Sequence, residues 1–111
     1  MSYLCCMNIE NQQSTILSNL GINALNKMQF EAQRTIMNKK NIILLSPTGS
    51  GKTLAFLLPI LQLLDENIKG VQCLIIAPSR ELAMQIEQVW KKMSTKFKVN
   101  VCYGGHSIET E

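Results

Sequence analysis

Apolar residues recur at helical spacing in four stretches of the chain. The first runs from Ser14 to Leu20 and is followed by Gly21, a residue suited to the left-handed stop of a helix. Asn26 is a candidate N-cap for the second helix, which we expect to reach about Asn38. The third predicted helix is Leu54 to Leu64, with a kink at Pro59. The fourth has Ser79 as its candidate N-cap, and its face carries Leu82, Ile86, Val89, Met93 and Phe97.

Three further apolar runs lack helical spacing and predict β-strands. Residues 42–45 and 71–77 are apolar along most of their length, as in strands buried on both faces of a parallel sheet. Residues 99–103 alternate between apolar and polar positions. The order helix, helix, strand, loop, helix, strand, helix, strand predicts an α/β fold with a parallel sheet and right-handed crossovers.

The length of 111 residues allows one domain with one hydrophobic core. The sequence is 46% hydrophobic and 17% charged and has no run long enough to cross a membrane, so we expect no membrane contact. No Lys or Arg precedes Lys27, so the basic flank of a secretory signal is missing and a cytoplasmic protein is expected. The net charge of +3 is too small to indicate a nucleic-acid partner by itself.

The cysteines of the chain form no C-x-x-C pair, so a zinc site is not expected. Cys73 and Cys102 fall within strand-like runs, where a free thiol behaves as a small hydrophobic side chain. We therefore expect both to be buried structural residues. We interpret residues 1–13 as an N-terminal extension and a candidate for disorder, and residues 14–111 as the folded part.

The segment SPTGSGKT, residues 46–53, lies between a predicted strand and a predicted helix. Such a loop can wrap backbone N–H groups around a phosphate at the positive end of a helix. It matches the pattern G-x-x-x-x-G-K-[ST] except that Ser46 replaces the first Gly. In this pattern Lys52 reaches the β and γ phosphates and Thr53 ligates Mg²⁺. The candidate phosphate-binding residues are Ser46, Thr48, Gly49, Ser50, Gly51, Lys52 and Thr53.

Four landmarks in one order resemble the amino-terminal part of a DEAD-box RNA helicase. LGINALNKMQ, residues 20–29, is similar to the Q motif, and SPTGSGKT is similar to the Walker A motif, which in the family usually begins with Ala. APSRELA, residues 77–83, is similar to motif Ia, with Ser79 in place of Thr. Gly104 and Gly105 are similar to the family's GG element.

The resemblance implies a truncated RecA-like, P-loop NTPase domain of three layers that uses ATP and Mg²⁺. It implies that Gln29 reads the adenine edge, for which an amide offers one donor and one acceptor. Gln33 is the competing candidate. It also implies that Lys52 and Thr53 take part in catalysis. The residues that it places along a sequence-independent RNA backbone path are Pro78, Ser79, Arg80, Gly104 and Gly105.

Arg80 also has a simpler interpretation, as a solvated side chain or the partner of a carboxylate. The DEAD sequence, the SAT element and the second RecA-like domain of the family do not occur in these 111 residues. The only Asp is Asp65, which we interpret as a solvated residue near a helix end. We therefore expect the chain alone to lack ATP turnover, and its incomplete sheet to favour aggregation or oligomerisation.

Two other functions are open at this point. The chain can act by itself as a nucleotide-binding or RNA-binding module without turnover. It can also belong to an unrelated P-loop enzyme, such as a small-molecule kinase. The APSRELA segment and the position of Gln29 argue against the kinase, because neither is needed merely to bind a triphosphate.

Overall fold

The computed structural model describes residues 12–103 and contains four α-helices in that range. All four lie where the apolar periodicity predicts them, and the first extends before Ser14 because residues 12 and 13 are already helical. The helices are α1 (residues 12–19), α2 (Lys27–Asn38), α3 (Lys52–Leu63) and α4 (Arg80–Lys92).

The helix ends follow the predicted capping residues. Gly21 has a left-handed φ of 71°, and Ile22 N donates to Leu17 O at 2.8 Å, which closes the end of α1. Asn26 begins α2 with a capping box that it shares with Gln29. The side chain of Ser79 accepts a hydrogen bond from the backbone of Leu82 and so caps α4.

Helix α3 forms the centre of the hydrophobic core. It continues through Pro59, which is fully buried and has no N–H to bond the carbonyl one turn earlier. Helix α2 packs along α3, and α4 contacts α3 as well. Of the predicted face of α4, Ile86 and Met93 are buried, while Leu82, Val89 and Phe97 are partly buried against the core. The buried cluster consists of Ile16, Leu17, Leu54, Leu57, Leu58, Leu61, Ile86, Trp90 and Met93.

The predicted strands do not form in the part of the chain that the structure describes. Residues 42–45, 71–77 and 99–103 contain no β-strand. Most apolar side chains of the first two runs are exposed, whereas Val99, Val101 and Tyr103 are half-buried. Ile43, Leu45 and Val71 are 87%, 88% and 91% exposed. A strand is stable only when its backbone pairs with a neighbour and its side chains are covered. These runs find no such partners among residues 12–103, so the parallel sheet predicted from the sequence is absent there.

The burial predicted for two cysteines is wrong for the same reason. Cys73 and Cys102 are both free thiols, as expected, but both are exposed because their segments are not covered by a sheet. Atoms that partly desolvate the Cys73 thiol still raise its pKa above the ordinary value. A raised pKa lowers the fraction of Cys73 that is thiolate at neutral pH.

Among the helices of residues 12–103, none combines the length and the apolar character that a membrane span requires.

Candidate phosphate-binding site

The loop that precedes α3 is a glycine-dependent turn. Gly49 and Gly51 have left-handed φ angles of 81° and 88°, and Gly51 is the N-cap of α3. Ser50 donates to Pro47 O through both its hydroxyl, at 2.6 Å, and its backbone N–H, at 3.3 Å. The hydroxyl groups of Ser46 and Ser50 hydrogen-bond to each other. Hydrogen bonds within the loop, mainly from the Ser46 and Ser50 hydroxyl groups, therefore hold it in this turn.

Lys52 folds back across this loop. Its Nζ donates to the backbone carbonyl oxygen of Ser46 at 2.7 Å. Because the acceptor is a main-chain oxygen, the contact does not depend on the side chain at position 46. Ser46 can therefore replace the usual Gly or Ala without removing this acceptor.

The electrostatics of the loop favour an anion. It ends at the N-terminus of α3, where unpaired N–H groups carry partial positive charge. No acidic residue lies in the first turn of α3, and Lys52 is its first residue. Thr53 follows in the same turn and is half-buried, while Thr48 is exposed in the loop. The structure thus places all seven predicted loop residues around one helix N-terminus.

Gln29 lies against the loop and is only 6% exposed. Its Nε2 donates to Gly51 O at 3.1 Å, and its Oε1 accepts from Asn26 N at 3.0 Å. A Cβ at Gly51 would collide with the Gln29 amide, so the close approach depends on glycine. Gln33, the competing candidate, instead donates to Gln13 of α1 at 3.1 Å. Of the two glutamines, Gln29 is the one that contacts the loop.

Asn26 makes a second contact between α2 and the loop, which the sequence reasoning missed. Its Oδ1 accepts from Gln29 N at 2.8 Å, and its Nδ2 donates to Ser50 O at 3.0 Å. The sequence indicated only the first of these roles, because N-caps are recognised from neighbours one turn away. The amide group of an Asn cap, which has a donor beside its acceptor, is a signal for such a second contact.

The predicted RNA-contacting residues begin at the start of α4. Pro78 and Ser79 are exposed, with Ser79 as the N-cap, and Arg80 is the first helical residue. The Arg80 guanidinium lies over the Tyr103 ring at 4.9 Å from its centroid. The sequence reasoning treated Tyr103 only as a strand residue. Gly104, Gly105 and His106 lie outside the described residues.

Asp65 lies just after the end of α3 and is exposed, as expected. Its Oδ1 accepts from Asn67 N at 2.9 Å, and its backbone N–H donates to Gln72 Oε1 at 2.9 Å. These contacts form a turn in which the carboxylate serves the local backbone. Within residues 12–103, no group of three or more His, Cys, Asp or Glu side chains could hold a metal ion.

A glycine loop at a helix N-terminus, with a lysine folded over it, defines the class of P-loop proteins. The model of the DEAD/DEAH box helicase family matches residues 26–111, which include this loop, Gln29 and α4. The chain belongs to the DEAD/DEAH box helicase family. Membership implies a RecA-like P-loop fold.

Curated relatives agree with this family. The chain is 39% identical over 109 residues to the probable ATP-dependent RNA helicase YfmL of Bacillus subtilis (strain 168), covering 93% of this chain and 29% of the relative. It is 38% identical over 98 residues to the ATP-dependent RNA helicase DeaD of Escherichia coli (strain K12), covering 86% of this chain and 16% of that relative. The chain therefore spans less than a third of the length of these relatives. No solved structure matches it.

Proposed function

We propose that this chain is the ATP-binding and RNA-contacting portion of a DEAD-box RNA helicase. In the longer protein it would couple ATP binding and hydrolysis to the unwinding of RNA duplexes, together with a second RecA-like domain. The observation that carries the proposal is the joint placement of Lys52 and Gln29 on one loop, through Ser46 O at 2.7 Å and Gly51 O at 3.1 Å.

The loop residues fit a nucleoside triphosphate. Gly49 and Gly51 give the loop a concave backbone that side chains at these positions would disturb. Lys52 would neutralise the β and γ phosphates, and the Thr53 hydroxyl would ligate Mg²⁺. Bound Mg²⁺ would offset the phosphate charge that develops during hydrolysis. The positive end of α3 adds to the same attraction.

Gln29 keeps the groups that adenine recognition needs. A glutamine amide has two donor hydrogens and two acceptor lone pairs. The Gln29 amide donates one hydrogen bond to Gly51 O and accepts one from Asn26 N. One donor hydrogen and one acceptor lone pair of the amide therefore remain. A donor and an acceptor side by side complement the edge of adenine. We therefore assign the base preference of the site to Gln29.

RNA contact is assigned to the start of α4. The N-terminus of this helix carries partial positive charge, and Ser79 and Arg80 supply a hydroxyl and a guanidinium beside exposed Pro78. Gly104 and Gly105 directly follow Tyr103, which contacts Arg80. Such groups grip phosphates and sugars without reading bases, so we propose sequence-independent binding of RNA.

The experiment that tests the nucleotide site is binding of a fluorescent ATP analogue with Mg²⁺ to the purified chain, with ATP and GTP as competitors. We expect Lys52→Ala to abolish measurable binding. Gln29→Glu keeps the acceptor that caps α2 and loses the donor, so it should reduce the preference for ATP over GTP. The added charge repels both nucleotides equally, which makes the ratio of their affinities the informative quantity.

Gln33→Glu is the matched control, because it adds the same charge to α2 at a side chain that faces α1. It should leave the ratio of ATP to GTP affinity unchanged. Equal ratios for wild type and Gln29→Glu would exclude Gln29 from base recognition. Absence of nucleotide binding by a wild-type chain that is folded by circular dichroism would contradict the proposed function.

The alternative is a nucleotide-binding or RNA-binding module that acts without turnover. It is favoured by one observation, that the only Asp of the chain is held in the turn with Asn67. Both functions predict no ATP hydrolysis by the 111-residue chain alone, so the distinguishing experiment is sequencing of the reading frame beyond residue 111. A DEAD sequence there would support the helicase portion and exclude the module without turnover.

A further inference from the structure

Asn26 joins the first turn of α2 to the phosphate loop. Its Nδ2 donates to Ser50 O at 3.0 Å, next to the Gln29 Nε2 hydrogen bond to Gly51 O at 3.1 Å. The carbonyl groups of two consecutive loop residues are thus held by two amides from one helix turn. We propose that Asn26 is a positioning residue, which orients the loop N–H groups toward the phosphates of a bound nucleotide.

The geometry of the peptide bond gives the reason. A peptide unit is planar and trans, so its C=O and the N–H of the next residue point in opposite directions. A donor that holds Ser50 O toward α2 therefore turns the Gly51 N–H away from α2. In the same way, the Gln29 contact to Gly51 O turns the Lys52 N–H away from it. Both N–H groups belong to the loop end that faces an anion at the start of α3.

An asparagine is suited to this position because it can serve both elements at once. Its Oδ1 accepts from Gln29 N at 2.8 Å and caps α2, while its Nδ2 holds the loop. Aspartate keeps the oxygen that caps α2 but has no N–H to donate to Ser50 O. Serine also caps a helix about as well as asparagine, but it has one polar atom where asparagine has two. Capping and loop positioning can therefore be separated by substitution.

The inference rests on the proposed nucleotide site, and its first test needs no nucleotide. Backbone amide order parameters of Gly51 and Lys52 are measured by NMR in the 111-residue chain and in Asn26→Ser, Asn26→Asp and Asn26→Ala. We expect a lower order parameter at Gly51 in all three variants, because the loop loses the hydrogen bond that orders it. The melting temperature should fall most in Asn26→Ala, because only alanine also removes the cap.

The second test is the affinity for the fluorescent ATP analogue with Mg²⁺. Loss of one hydrogen bond that orders the loop should weaken binding by about three- to tenfold in Asn26→Ser, without a change in the ratio of ATP to GTP affinity. Asn26→Asp should bind more weakly still, because its negative charge lies next to the loop that would hold the phosphates. An unchanged ratio of ATP to GTP affinity would show that Asn26 acts on the loop and does not take part in base recognition by Gln29.

Two results are distinguishable. If Asn26→Ser matches wild type in the Gly51 order parameter and in nucleotide affinity, the positioning role is wrong and Asn26 is only a helix cap. If folded wild-type chain binds no nucleotide, the proposed function fails, whereas the order parameters still decide whether Asn26 orders the loop.

Discussion

The guanidinium of Arg80 lies 4.9 Å from the centroid of the Tyr103 ring. This contact joins the N-terminus of α4 to the residue that directly precedes Gly104. A cation over an aromatic face is attracted by the ring quadrupole, and a planar guanidinium also stacks on it. The pair therefore holds Tyr103 against the start of α4, although the two residues are far apart in sequence.

The Tyr103 ring should contribute to RNA affinity through Arg80. In Tyr103→Leu we expect the affinity for a short single-stranded RNA to fall about two- to fivefold, since cation–π contacts at exposed sites contribute about 0.5–1 kcal/mol. Tyr103→Phe keeps the ring face and should bind like wild type. Fluorescence anisotropy with labelled RNA measures both. Equal affinities of Tyr103→Leu and wild type would show that Arg80 does not need the ring.

Gly51 should be less replaceable than Gly49. Both have left-handed φ angles, for which an alanine costs about 1–2 kcal/mol. At Gly51 the new Cβ would also collide with the Gln29 amide, whereas at Gly49 it would meet open space. We expect both alanine variants to lower the melting temperature. Only Gly51→Ala should also disturb Gln29, and it should weaken nucleotide binding more than Gly49→Ala does.

The comparison of the two glycine variants has an internal control. Both variants carry the same cost of placing an alanine at a left-handed φ. Any larger fall in melting temperature in Gly51→Ala therefore reports the contact with Gln29. NMR resonances of the Gln29 side-chain amide should shift in Gly51→Ala and stay in place in Gly49→Ala. Equal shifts in both variants would contradict the close approach of Gln29 to Gly51.

Trp90 should stabilise the end of α4 through its indole nitrogen. Its Nε1 donates to Phe97 O at 3.0 Å, and the side chain is buried in the core. Trp90→Phe keeps an aromatic ring but loses the donor and some volume, so the free energy of unfolding should fall by about 1–2 kcal/mol. Urea denaturation followed by circular dichroism measures the change.

Thr95→Ala is the matched control for Trp90, because Thr95 Oγ1 lies 3.3 Å from the same carbonyl oxygen. Its effect on the free energy of unfolding should be smaller, since the Thr95 bond is longer and its side chain is not part of the core cluster. A larger loss in Thr95→Ala than in Trp90→Phe would assign the stabilisation to the turn and not to the indole.

The exposed apolar run at residues 42–45 should drive self-association of the chain. Ile43 and Leu45 are 87% and 88% exposed, and extended apolar segments of this kind pair with other chains. Ile43→Lys should lower the sedimentation coefficient toward that of a monomer in analytical ultracentrifugation. Phe30→Lys removes an apolar side chain that is exposed on α2 and should have less effect. Equal effects would point to general surface hydrophobicity.

Local sequence was sufficient for the four helices and their caps. A helix and its caps depend on residues within one or two turns, so the spacing of Leu82, Ile86 and Met93 and the caps Asn26 and Ser79 were visible in the sequence. The phosphate loop could be recognised in the same way, because its glycines and Lys52 act through neighbouring backbone. The prediction of strands failed in the described residues because an apolar run indicates a need for burial and not the presence of a pairing partner.

The sequence by itself determined the helices, the glycine loop and the motifs that resemble a helicase. Tertiary structure decided which glutamine contacts the loop, that Asn26 bridges to Ser50, and that Tyr103 lies under Arg80. These contacts join residues that are 22 or more positions apart. They arise from how α2 packs on α3 and where the chain runs after α4, and local periodicity carries no information about such distances.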